Sequence, residues 1–460
     1  MYKRQGLYTS PHLEHVNERI AIDGQQLSDD DFVDTWDQIK DLVAMVDMKM
    51  EELDKPKMSF FEVLTAMAIW KFADAPVDVA IVEVGMGGRW DATNVLDADA
   101  AIIGPIDMDH MAWLGNTVEQ IASEKVGIIK PGCTAVIGRQ PHEEAVMPII
   151  EEAARQNHAN LVRDGIEAEV VTRIPAVGGQ VATLRTPNGT YAEVPIAKFG
   201  EHQAHNALAA LCAAEVVIPV NGALDGDLVA EALSTVRIPG RIEQIRTSPT
   251  IILDGGHNVN AAESLRAAIE ENYDFQQLVG VIAMMGDKQV EEYLGALEPL
   301  LSHVVVTENS WRDRVMPAED LKTVAERVFG AERVTCVPEL PDAIQEAVNM
   351  VDADDEFGVG YGHGVLICGS FTTAGDARLM LEEKVNPDLK KPKSERVFQE
   401  AVEPEPRKDQ DEADLDFESD ANPDFDINDF GSVGPDLAED EDADASEVEH
   451  ADAASSEDVR

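Results

Sequence analysis

Residues 76–110 have the sequence PVDVAIVEVGMGGRWDATNVLDADAAIIGPIDMDH, and this stretch decides the predicted fold. The apolar run 77–84 predicts a buried strand with Glu83 near its end. A glycine-rich turn follows, and a second apolar run, 100–106, leads to His110. Because the carboxyl ends of parallel strands share one edge of a sheet, this pattern predicts a nucleotide and metal site at that edge.

The glycine-rich turn GMGGR requires bare backbone, but it does not have the full GxGxxG spacing and it leads into Arg-Trp-Asp rather than into a helix. A nicotinamide site is therefore not expected. Glu83 is placed as a hard oxygen ligand for Mg²⁺, and His110 could complete the same site. Mg²⁺ keeps several waters and phosphate oxygens, so two or three such side chains would suffice.

Lys125 lies in the segment ASEKVGIIK, for which we predict a helix. One interpretation is a helix-terminal lysine that the helix macrodipole favours. The other is a lysine whose pKa is lowered by apolar surroundings, so that its neutral amine is favoured. A neutral amine can take up CO₂ and become a carbamate, whose oxygens a second Mg²⁺ could use.

The residues before this stretch contain a turn and two predicted helices. The turn is Thr-Ser-Pro, in which Ser10 can offer a hydroxyl to a metal and His12 can donate to an anionic substrate. Amphipathic spacing predicts one helix over 28–53 and another over 59–72. In the second helix, Ser59 is a plausible N-cap.

Three further side chains follow Ser59 in the motif SFFE. Glu62 stands at the capping-box spacing from Ser59. Phe60 and Phe61 are either core residues or an aromatic pair that clamps a flat heteroaromatic ring beside the metal loop.

After residue 134 the sequence predicts a strand, a helix near 142–157 and a hairpin at Asn188-Gly189. An alanine-rich helix then begins at GEHQAHN, where His202 and Asn206 share a face. From about residue 240, short apolar runs alternate with amphipathic helices, which predicts a second, parallel α/β domain. Its strand candidates are 250–254, 278–284, 303–307, 333–337 and 364–369. Polar side chains, including Asp254 and His257, follow the first of them.

Composition limits the possible partners. The 460 residues carry a formal net charge of −53, and the segment 394–460 alone has 25 acidic and 4 basic residues. Such charge disfavours nucleic acid and anionic membranes, and it is typical of a cytosol of very high salt. No apolar run approaches a bilayer span, and the four scattered cysteines indicate reduced thiols of a cytoplasmic protein. Residues 387–460 are predicted to be disordered, and their phenylalanines are either docking points for an unknown partner or simply solvated.

These motifs resemble the folylpolyglutamate synthase/dihydrofolate synthase family, relatives of the Mur ligases. The resemblance covers residues 6–385 and rests on GLYTSPHL with ERI, SFFE, EVGMGGRWDATNV, DMDH, LGNT, IASEKVGIIKPG, GEHQAHNALAAL, IPGRIE, LDGGHN, GDK and ICGSF in this order. It implies a Mur-ligase-like ATP/Mg and folate-binding domain at 1–237, a Rossmann-like glutamate-ligase domain at 238–386, and the acidic tail at 387–460.

The resemblance also implies an ATP-dependent amide ligase. Such an enzyme phosphorylates a carboxylate of dihydropteroate or of a folate, and the amine of L-glutamate attacks the acyl phosphate. By motif, the resemblance implies Mg²⁺ ligands at Ser10, Glu83 and His110, a carbamylated Lys125, a pterin-side pocket at Ser59, Phe60, Phe61, Glu62, Trp90, Asp91 and Ala92 with Ser10 and His12 nearby, and nucleotide contacts at Asn206, Arg241, Asp254 and His257. Lys125, Arg241 and His257 are the candidate catalytic residues, and a monomer is expected.

One departure from the family pattern is a missing phosphate loop. The family begins with a strand and a GTNGKGS-type loop before GLYTSPHL, and no GxxxxGK[ST] occurs in the 460 residues. We expect a start placed too late, with an exposed sheet edge and apolar surface as its consequence. The alternatives are a shortened, catalytically impaired folate-pathway binding or scaffold protein, or one completed by a partner. A Mur-type peptide ligase is a further alternative, which SFFE and TSPHL disfavour.

Overall fold

The computed structural model describes residues 3–108, 110–218, 220, 222–353 and 362–381. The predicted acidic tail, 387–460, lies outside the described residues. Within the described ranges, no helix is both long and apolar enough to cross a bilayer.

The N-terminal domain is a mixture of short strands and helices, as the alternating sequence pattern predicts. Its strands are β1 (Gln5–Tyr8), β2 (Ile20–Ile22), β3 (Gln25–Gln26), β4 (Val79–Val82), β5 (Ala100–Ile103), β6 (Thr134–Ile137), β7 (Asn160–Arg163), β8 (Glu169–Ala176), β9 (Gly179–Arg185) and β10 (Thr190–Ile196). Its helices are α1 (Asp29–Glu52), α2 (Phe60–Asp74), α3 (Met111–Leu114), α4 (Val118–Lys125), α5 (Glu143–Gln156), α6 (Glu201–Val217) and α7 (Gly226–Thr235).

These strands form three small sheets. The orders are β3-β2-β1-β4, β5-β6-β7 and β10-β9-β8. β1 runs parallel to β4, β5 and β6 are parallel, and the predicted Asn-Gly hairpin joins β9 to β10. The apolar sides of α1 and α2 pack against β1 and β2 in one core, whereas α4 and α5 pack with β5 and β6 in another.

The predicted buried strand at 77–84 is shorter and less buried than expected. β4 is the outer strand of its sheet, and Ile81 is 47% exposed. β5 is likewise an outer strand, and Ile102 is 45% exposed. A continuous apolar run is typical of a strand that other elements cover on both faces. Among the described residues, β4 and β5 are not fully covered in this way.

The C-terminal domain has the predicted parallel architecture. Its strands are β11 (Glu243–Thr247), β12 (Thr250–Leu253), β13 (Gln277–Ile282), β14 (His303–Val306), β15 (Val334–Cys336) and β16 (His363–Cys368). Its helices are α8 (Val259–Asn272), α9 (Val290–Leu297), α10 (Ala318–Phe329), α11 (Leu340–Ala353) and α12 (Phe371–Leu381).

The six strands of this domain form one sheet in the order β11-β12-β16-β13-β14-β15. β12 to β16 pair in parallel, and β11, which the sequence did not predict, adds an antiparallel edge. Apolar clusters cover both faces of the sheet, which explains why its strands are continuous apolar runs. The carboxyl ends of β12, β13, β14 and β16 therefore meet at one edge, where the polar segment after β12 lies.

Candidate functional site

Ser10 and Glu83 come together at the carboxyl ends of β1 and β4. The backbone N–H of Ser10 donates to Glu83 Oε2 at 2.7 Å. The backbone N–H of Glu83 donates to the Tyr8 carbonyl at 2.9 Å, which continues the parallel register in which Tyr8 is paired with Val82. Two of the predicted metal ligands are therefore neighbours, and the reason is strand pairing.

The charge on Glu83 is set by residues from both domains. Glu83 has an exposed face, yet the atoms packed around its carboxylate raise its pKa, because desolvation penalises the charged form. The Ser10 N–H lowers the pKa in part, and the positive charges of Arg241 and Arg19 do the same. Arg241 belongs to the segment that leads into the C-terminal domain. The charges of Glu83 and Arg241 therefore interact across the junction between the domains.

The glycine-rich turn packs tightly between two helices. A Cβ on Gly85 would lie 2.5 Å from the Phe61 ring, and one on Gly88 would lie 2.8 Å from the Glu124 carbonyl oxygen and 2.9 Å from that of Lys125. The Arg89 N–H donates to the Glu124 carbonyl at 2.9 Å. The prediction that this turn requires bare backbone is thus explained by helix packing.

Lys125 is the last residue of α4 and lies directly behind this turn. Its position at a helix C-terminus agrees with the macrodipole interpretation. The side chain is half-buried and Val126 beside it is buried. The carbamate interpretation stays a prediction.

Asp91 shapes the segment after the turn. Its Oδ2 accepts from the Met86 N–H at 2.8 Å, and its Oδ1 accepts from the N–H and the hydroxyl of Thr93. Ala92 starts the short 3₁₀ helix Ala92–Val95, and Trp90 is 85% exposed. The carboxylate of Asp91 therefore closes the loop, while the Trp90 ring is available for a flat ligand.

The motif SFFE begins α2 as predicted. Ser59 caps the helix, and its own backbone N–H donates to Glu62 Oε2 at 2.7 Å, so the capping box is complete. The Arg19 guanidinium lies over the Phe60 ring at 5.2 Å, and the Phe61 ring packs against Tyr8. These contacts support a structural role for the motif, and its predicted role in the pterin-side pocket stays a prediction.

Two histidines predicted as site residues, His12 and His110, differ in their surroundings. His12 accepts a hydrogen bond at Nδ1 from Arg19 Nε at 2.9 Å, which leaves Nε2 as the ring nitrogen that can carry the proton of a neutral imidazole. His110 is exposed and has a left-handed backbone (φ 50°) at the start of α3. His110 thus follows β5 in sequence and precedes α3, and its part in the Mg²⁺ site stays a prediction.

On the C-terminal side, Asp254 is a buried carboxylate at the end of β12. It accepts from the Ile242 N–H at 3.0 Å and from the Gly256 N–H at 2.8 Å. Burial raises the pKa of Asp254, and the charge of Arg241 opposes this change. Asp254 therefore fixes the backbone at Ile242, next to Arg241, and at Gly256, next to His257 in the same turn.

Arg241 itself is held by two contacts. Its guanidinium lies over the Phe371 ring at 5.4 Å, and its carbonyl accepts from Lys198 Nζ at 3.1 Å. The same ammonium donates to the Ile238 carbonyl at 3.1 Å, and its burial lowers the pKa of Lys198. Lys198 was not predicted as a site residue. A lone lysine just before GEHQ was the only signal in the sequence.

The first turn of α6 completes this side of the site. Asn206 is exposed and its amide contacts Gln203 at 3.4 Å. Burial lowers the pKa of His202, and the nearby Arg241 lowers it further. Arg241 is therefore close to β4, β12 and α6 alike, and the structure brings Ser10, Glu83, Arg241 and Asp254 into one neighbourhood.

A contact between the domains was not predicted. Leu13, three residues after Ser10, is buried within the apolar cluster of the C-terminal domain. Its carbonyl oxygen would lie 1.9 Å from a Cβ on Gly375 of α12. Glu14 forms an ion pair with Arg378, which also contacts Glu243 at 3.2 Å.

The loop that makes this contact is shaped by Glu18. Its carboxylate accepts from the backbone N–H groups of Leu13, Glu14 and His15 at 2.7–2.8 Å. A carboxylate that satisfies three amides is typical of a preformed loop. The segment from Ser10 to Glu14 therefore links a predicted metal ligand to the C-terminal domain.

In the described ranges, no three His, Cys, Asp or Glu side chains form a group that could hold a metal ion. The candidate set contains Ser10 and Lys125 besides Glu83 and His110, so half of its donors are of other types. Such a set fits a Mg²⁺ that takes much of its coordination from water and phosphate.

Comparison with known proteins identifies the family. The Mur ligase middle domain matches residues 36–214, and the Mur ligase glutamate ligase domain matches residues 240–371. The dihydrofolate synthase/folylpolyglutamate synthase of Mycobacterium tuberculosis is 43% identical over 396 residues, which are 83% of this chain and 81% of that protein.

Solved structures agree with this result. Mycobacterium tuberculosis folylpolyglutamate synthase complexed with ADP and AMPPCP has a TM-score of 0.78 at 44% identity, covering 83% of this chain and 85% of that one. Escherichia coli FolC in complex with DHPP and ADP has a TM-score of 0.68 at 26% identity, covering 83% of each. The chain therefore belongs to the folylpolyglutamate synthase/dihydrofolate synthase family of Mur ligases.

Proposed function

We propose that this protein is an ATP-dependent ligase that forms a C–N bond by adding L-glutamate to dihydropteroate, to folyl-(poly)glutamate, or to both. The observation that carries the proposal is the Ser10–Glu83 pair at the strand ends, with Arg241 of the neighbouring segment close enough to lower the pKa of Glu83. The relatives support it, because they are folate ligases and one was solved with ADP and AMPPCP.

The proposed reaction has two steps. The terminal phosphoryl group of ATP is transferred to a carboxylate oxygen of the folate substrate, giving an acyl phosphate and ADP. The amine of glutamate then attacks the acyl carbon, the C–O bond to phosphate breaks, and the amine loses a proton. The first step spreads negative charge over the transferred phosphoryl group, and a fixed cation at that point is the main requirement.

Arg241 supplies such a cation in this proposal. Its stacking on Phe371 and the anchoring of its carbonyl by Lys198 restrict where the guanidinium can lie. A preoriented cation needs no reorganisation during the reaction, which is the physical basis of electrostatic catalysis. His257, which follows the Asp254 turn, is proposed to contact the nucleotide or the reacting groups, and Asn206 of α6 is proposed to contact the nucleotide.

Two Mg²⁺ ions are part of the proposal. Ser10, Glu83 and His110 would hold one of them, and a carbamate on Lys125 would contribute to the second. When bound, the ions neutralise phosphate charge and orient the phosphoryl group. The raised pKa of Glu83 supports this assignment, because a carboxylate that is costly to ionise alone gains most from a bound cation.

The carbamate has its own test. A Lys125→Ala variant should lose most ligase activity, and a short carboxylic acid such as acetate should restore part of it by occupying the vacated space. Lys49→Ala, which removes an exposed lysine of α1 in the same domain, is a control for the general loss of a lysine. Full activity of Lys125→Ala, or no dependence of wild-type activity on CO₂, would contradict the carbamate.

The flat part of the substrate is proposed to lie near Phe60, Phe61 and the exposed Trp90 ring, with Ser59, Glu62, Asp91 and Ala92 forming the surrounding loops and His12 nearby. The 85% exposure of Trp90 supports this placement, because a large exposed ring is costly unless a ligand or partner uses it. The Escherichia coli relative was solved with DHPP and ADP together.

The deciding experiment is ADP release from ATP with dihydropteroate, measured with and without glutamate. Glutamate-dependent release, with the glutamylated product identified by mass, is the expected result. No turnover by the full-length protein, despite folate binding, would favour the alternative of a binding or scaffold protein. A Mur-type peptide ligase would instead use a cell-wall peptide precursor, and no observation favours it over the folate ligase.

The cellular setting is proposed on composition. The charge of −53 supports a protein that works in a salt-rich cytoplasm, without nucleic acid or membrane partners. A monomer is the proposed state, because the site is assembled within one chain.

A further inference from the structure

A cavity of about 310 Å³ lies beside the end of α4, between the glycine-rich turn and α5. Two cations, Arg89 and Lys130, line it together with the amide side chains Gln156 and Asn157. Apolar groups, including Val126 and Ile129, form the rest of the wall, and both of these are buried.

The two cations have partners that are not acids. Arg89 donates to the Ser123 carbonyl at 3.2 Å, and Lys130 Nζ donates to the Asn94 carbonyl at 2.6 Å. In the part of the chain that the structure describes, neither side chain forms an ion pair with a carboxylate. This is unusual because the sequence has 89 acidic residues for 36 lysines and arginines.

The walls of the cavity are held in place by backbone contacts. Asn94 joins the two cations, since its side chain donates to the Arg89 carbonyl at 2.9 Å while its own carbonyl binds Lys130. Gly127 packs so closely that a Cβ there would lie 2.5 Å from the Arg89 Cα. The Arg89 backbone and the Lys130 ammonium are therefore held in place before any ligand binds, and preorganisation of this kind favours binding.

From these observations we propose that the cavity binds a small oxyanion, a phosphate or a carboxylate, at a site separate from the ligase centre. A planar guanidinium presents two parallel donors to such an anion, an ammonium neutralises the second oxygen charge, and amide groups can complete its hydrogen bonds. The apolar wall formed by Val126 and Ile129 accommodates the carbon body of a short carboxylic acid.

The site is coupled to the ligase centre through the backbone. The Arg89 N–H donates to the Glu124 carbonyl, next to Lys125, so an anion that draws Arg89 inwards pulls on the end of α4. Binding at one site should then change affinity at the other by the same factor in both directions. This coupling rests on the proposed role of Lys125, whereas the binding site itself does not.

The test uses the full-length protein and isothermal titration at constant ionic strength, with inorganic phosphate, with glutarate, and with the neutral glutaramide. Saturable binding of phosphate or glutarate and none of glutaramide is expected, and the tighter of the two anions identifies the source. Arg89→Gln and Lys130→Met should each weaken binding by about tenfold or more, because each removes a charged hydrogen bond. Arg139→Gln, which removes an exposed arginine of the same domain, is the matched control and should bind as the wild type does.

Two outcomes would overturn the proposal: no saturable binding of either anion to the wild-type protein, or equal binding by wild type, Arg89→Gln and Lys130→Met. Thermal unfolding of each variant without anion shows whether the variant is still folded, so that weaker binding can be assigned to the site and not to unfolding. The experiment measures anion binding and not ligase activity. Absence of anion binding would therefore not affect the ligase proposal, and the anion site can be tested even if the protein has no ligase activity.

Discussion

Replacing Gly375 with alanine should separate two opposite effects of one methyl group. Gly375 lies inside α12, where alanine is favoured over glycine by about 1 kcal/mol in helix propensity. The added Cβ, however, would lie 1.9 Å from the carbonyl oxygen of Leu13. Since such contacts are essentially never closer than 3.0 Å, the loop from Ser10 to Glu14 must move by roughly 1 Å or more.

The displaced loop costs more than the helix gains. Overpacking of this kind costs about 1–3 kcal/mol, and complete release of the loop would forfeit the burial of Leu13, about 1.5–3 kcal/mol. The Glu14–Arg378 pair would be lost as well. Against a helix gain of about 1 kcal/mol, we expect a net destabilisation of about 1–2 kcal/mol.

Gly295 provides the matched control. It lies inside α9, and a Cβ added there meets nothing within 4 Å. Gly295→Ala should therefore stabilise the protein by about 0.5–1 kcal/mol, so that the two variants differ by about 2 kcal/mol in the free energy of unfolding. Urea denaturation monitored by circular dichroism measures this difference.

Activity gives a second readout. Ser10 donates to Glu83 from the loop that Gly375→Ala displaces, and a shift of about 1 Å near reacting groups can cost on the order of 100-fold in rate. We expect a lower kcat/KM for Gly375→Ala and an unchanged value for Gly295→Ala. If Gly375→Ala were as stable as Gly295→Ala and as active as the wild type, the contact between Leu13 and α12 would not exist in solution.

Three further predictions follow from the site. Glu83→Gln should abolish most ligase activity yet stabilise the metal-free protein at pH values above the ordinary carboxyl pKa. Because the pKa of Glu83 is raised in the folded state, that state binds more protons than the unfolded state, and wild-type stability falls as pH rises from 4.5 towards the folded pKa. Thermal unfolding measured against pH should therefore show a flatter profile for the variant. Lys198→Met should lower kcat/KM about tenfold or more by releasing the carbonyl of Arg241, with Lys198→Arg retaining more activity; equal activity of Lys198→Met and the wild type would contradict this role. Ser59→Ala should cost about 1 kcal/mol of stability through the lost cap, measured by urea denaturation, and a rise in the KM for folate would in addition support contact with substrate.

Local interactions explain what the sequence could predict. Helical spacing places α1 and α2 within one or two residues of their predicted bounds, and the SFFE motif contains its own capping box. The apolar runs of the C-terminal domain predict its parallel strands because both faces of the sheet are covered. The need for glycine at Gly85 and Gly88 was also predictable, although the partners of these residues were not.

Contacts between distant residues explain what was missed. Arg378 and Glu14 are 364 positions apart, and neither side chain carries a local signal for the other. Leu13 would be expected in the core of its own domain, and only the tertiary structure places it in the neighbouring one. The exposure of Ile81 has the same origin, because burial of a strand depends on elements that its own residues do not specify.

Arginines are few in this acidic chain, and their distribution is consistent with the proposed salt-rich setting. Salt screens exposed pairs strongly, and Arg139 with Glu201 is of this kind, with 69% and 61% of the side chains exposed. Arg378 with Glu14 is far less exposed, at 23% and 12%, and Arg19 is buried beside Glu83's strand. High salt should thus reduce the repulsion among surface acids while leaving the contacts that position Ser10, Glu83 and Arg241 largely unscreened. The acidic surface and the cationic site then have separate roles: the first keeps the protein dispersed, and the second orders the groups that we propose bind phosphate.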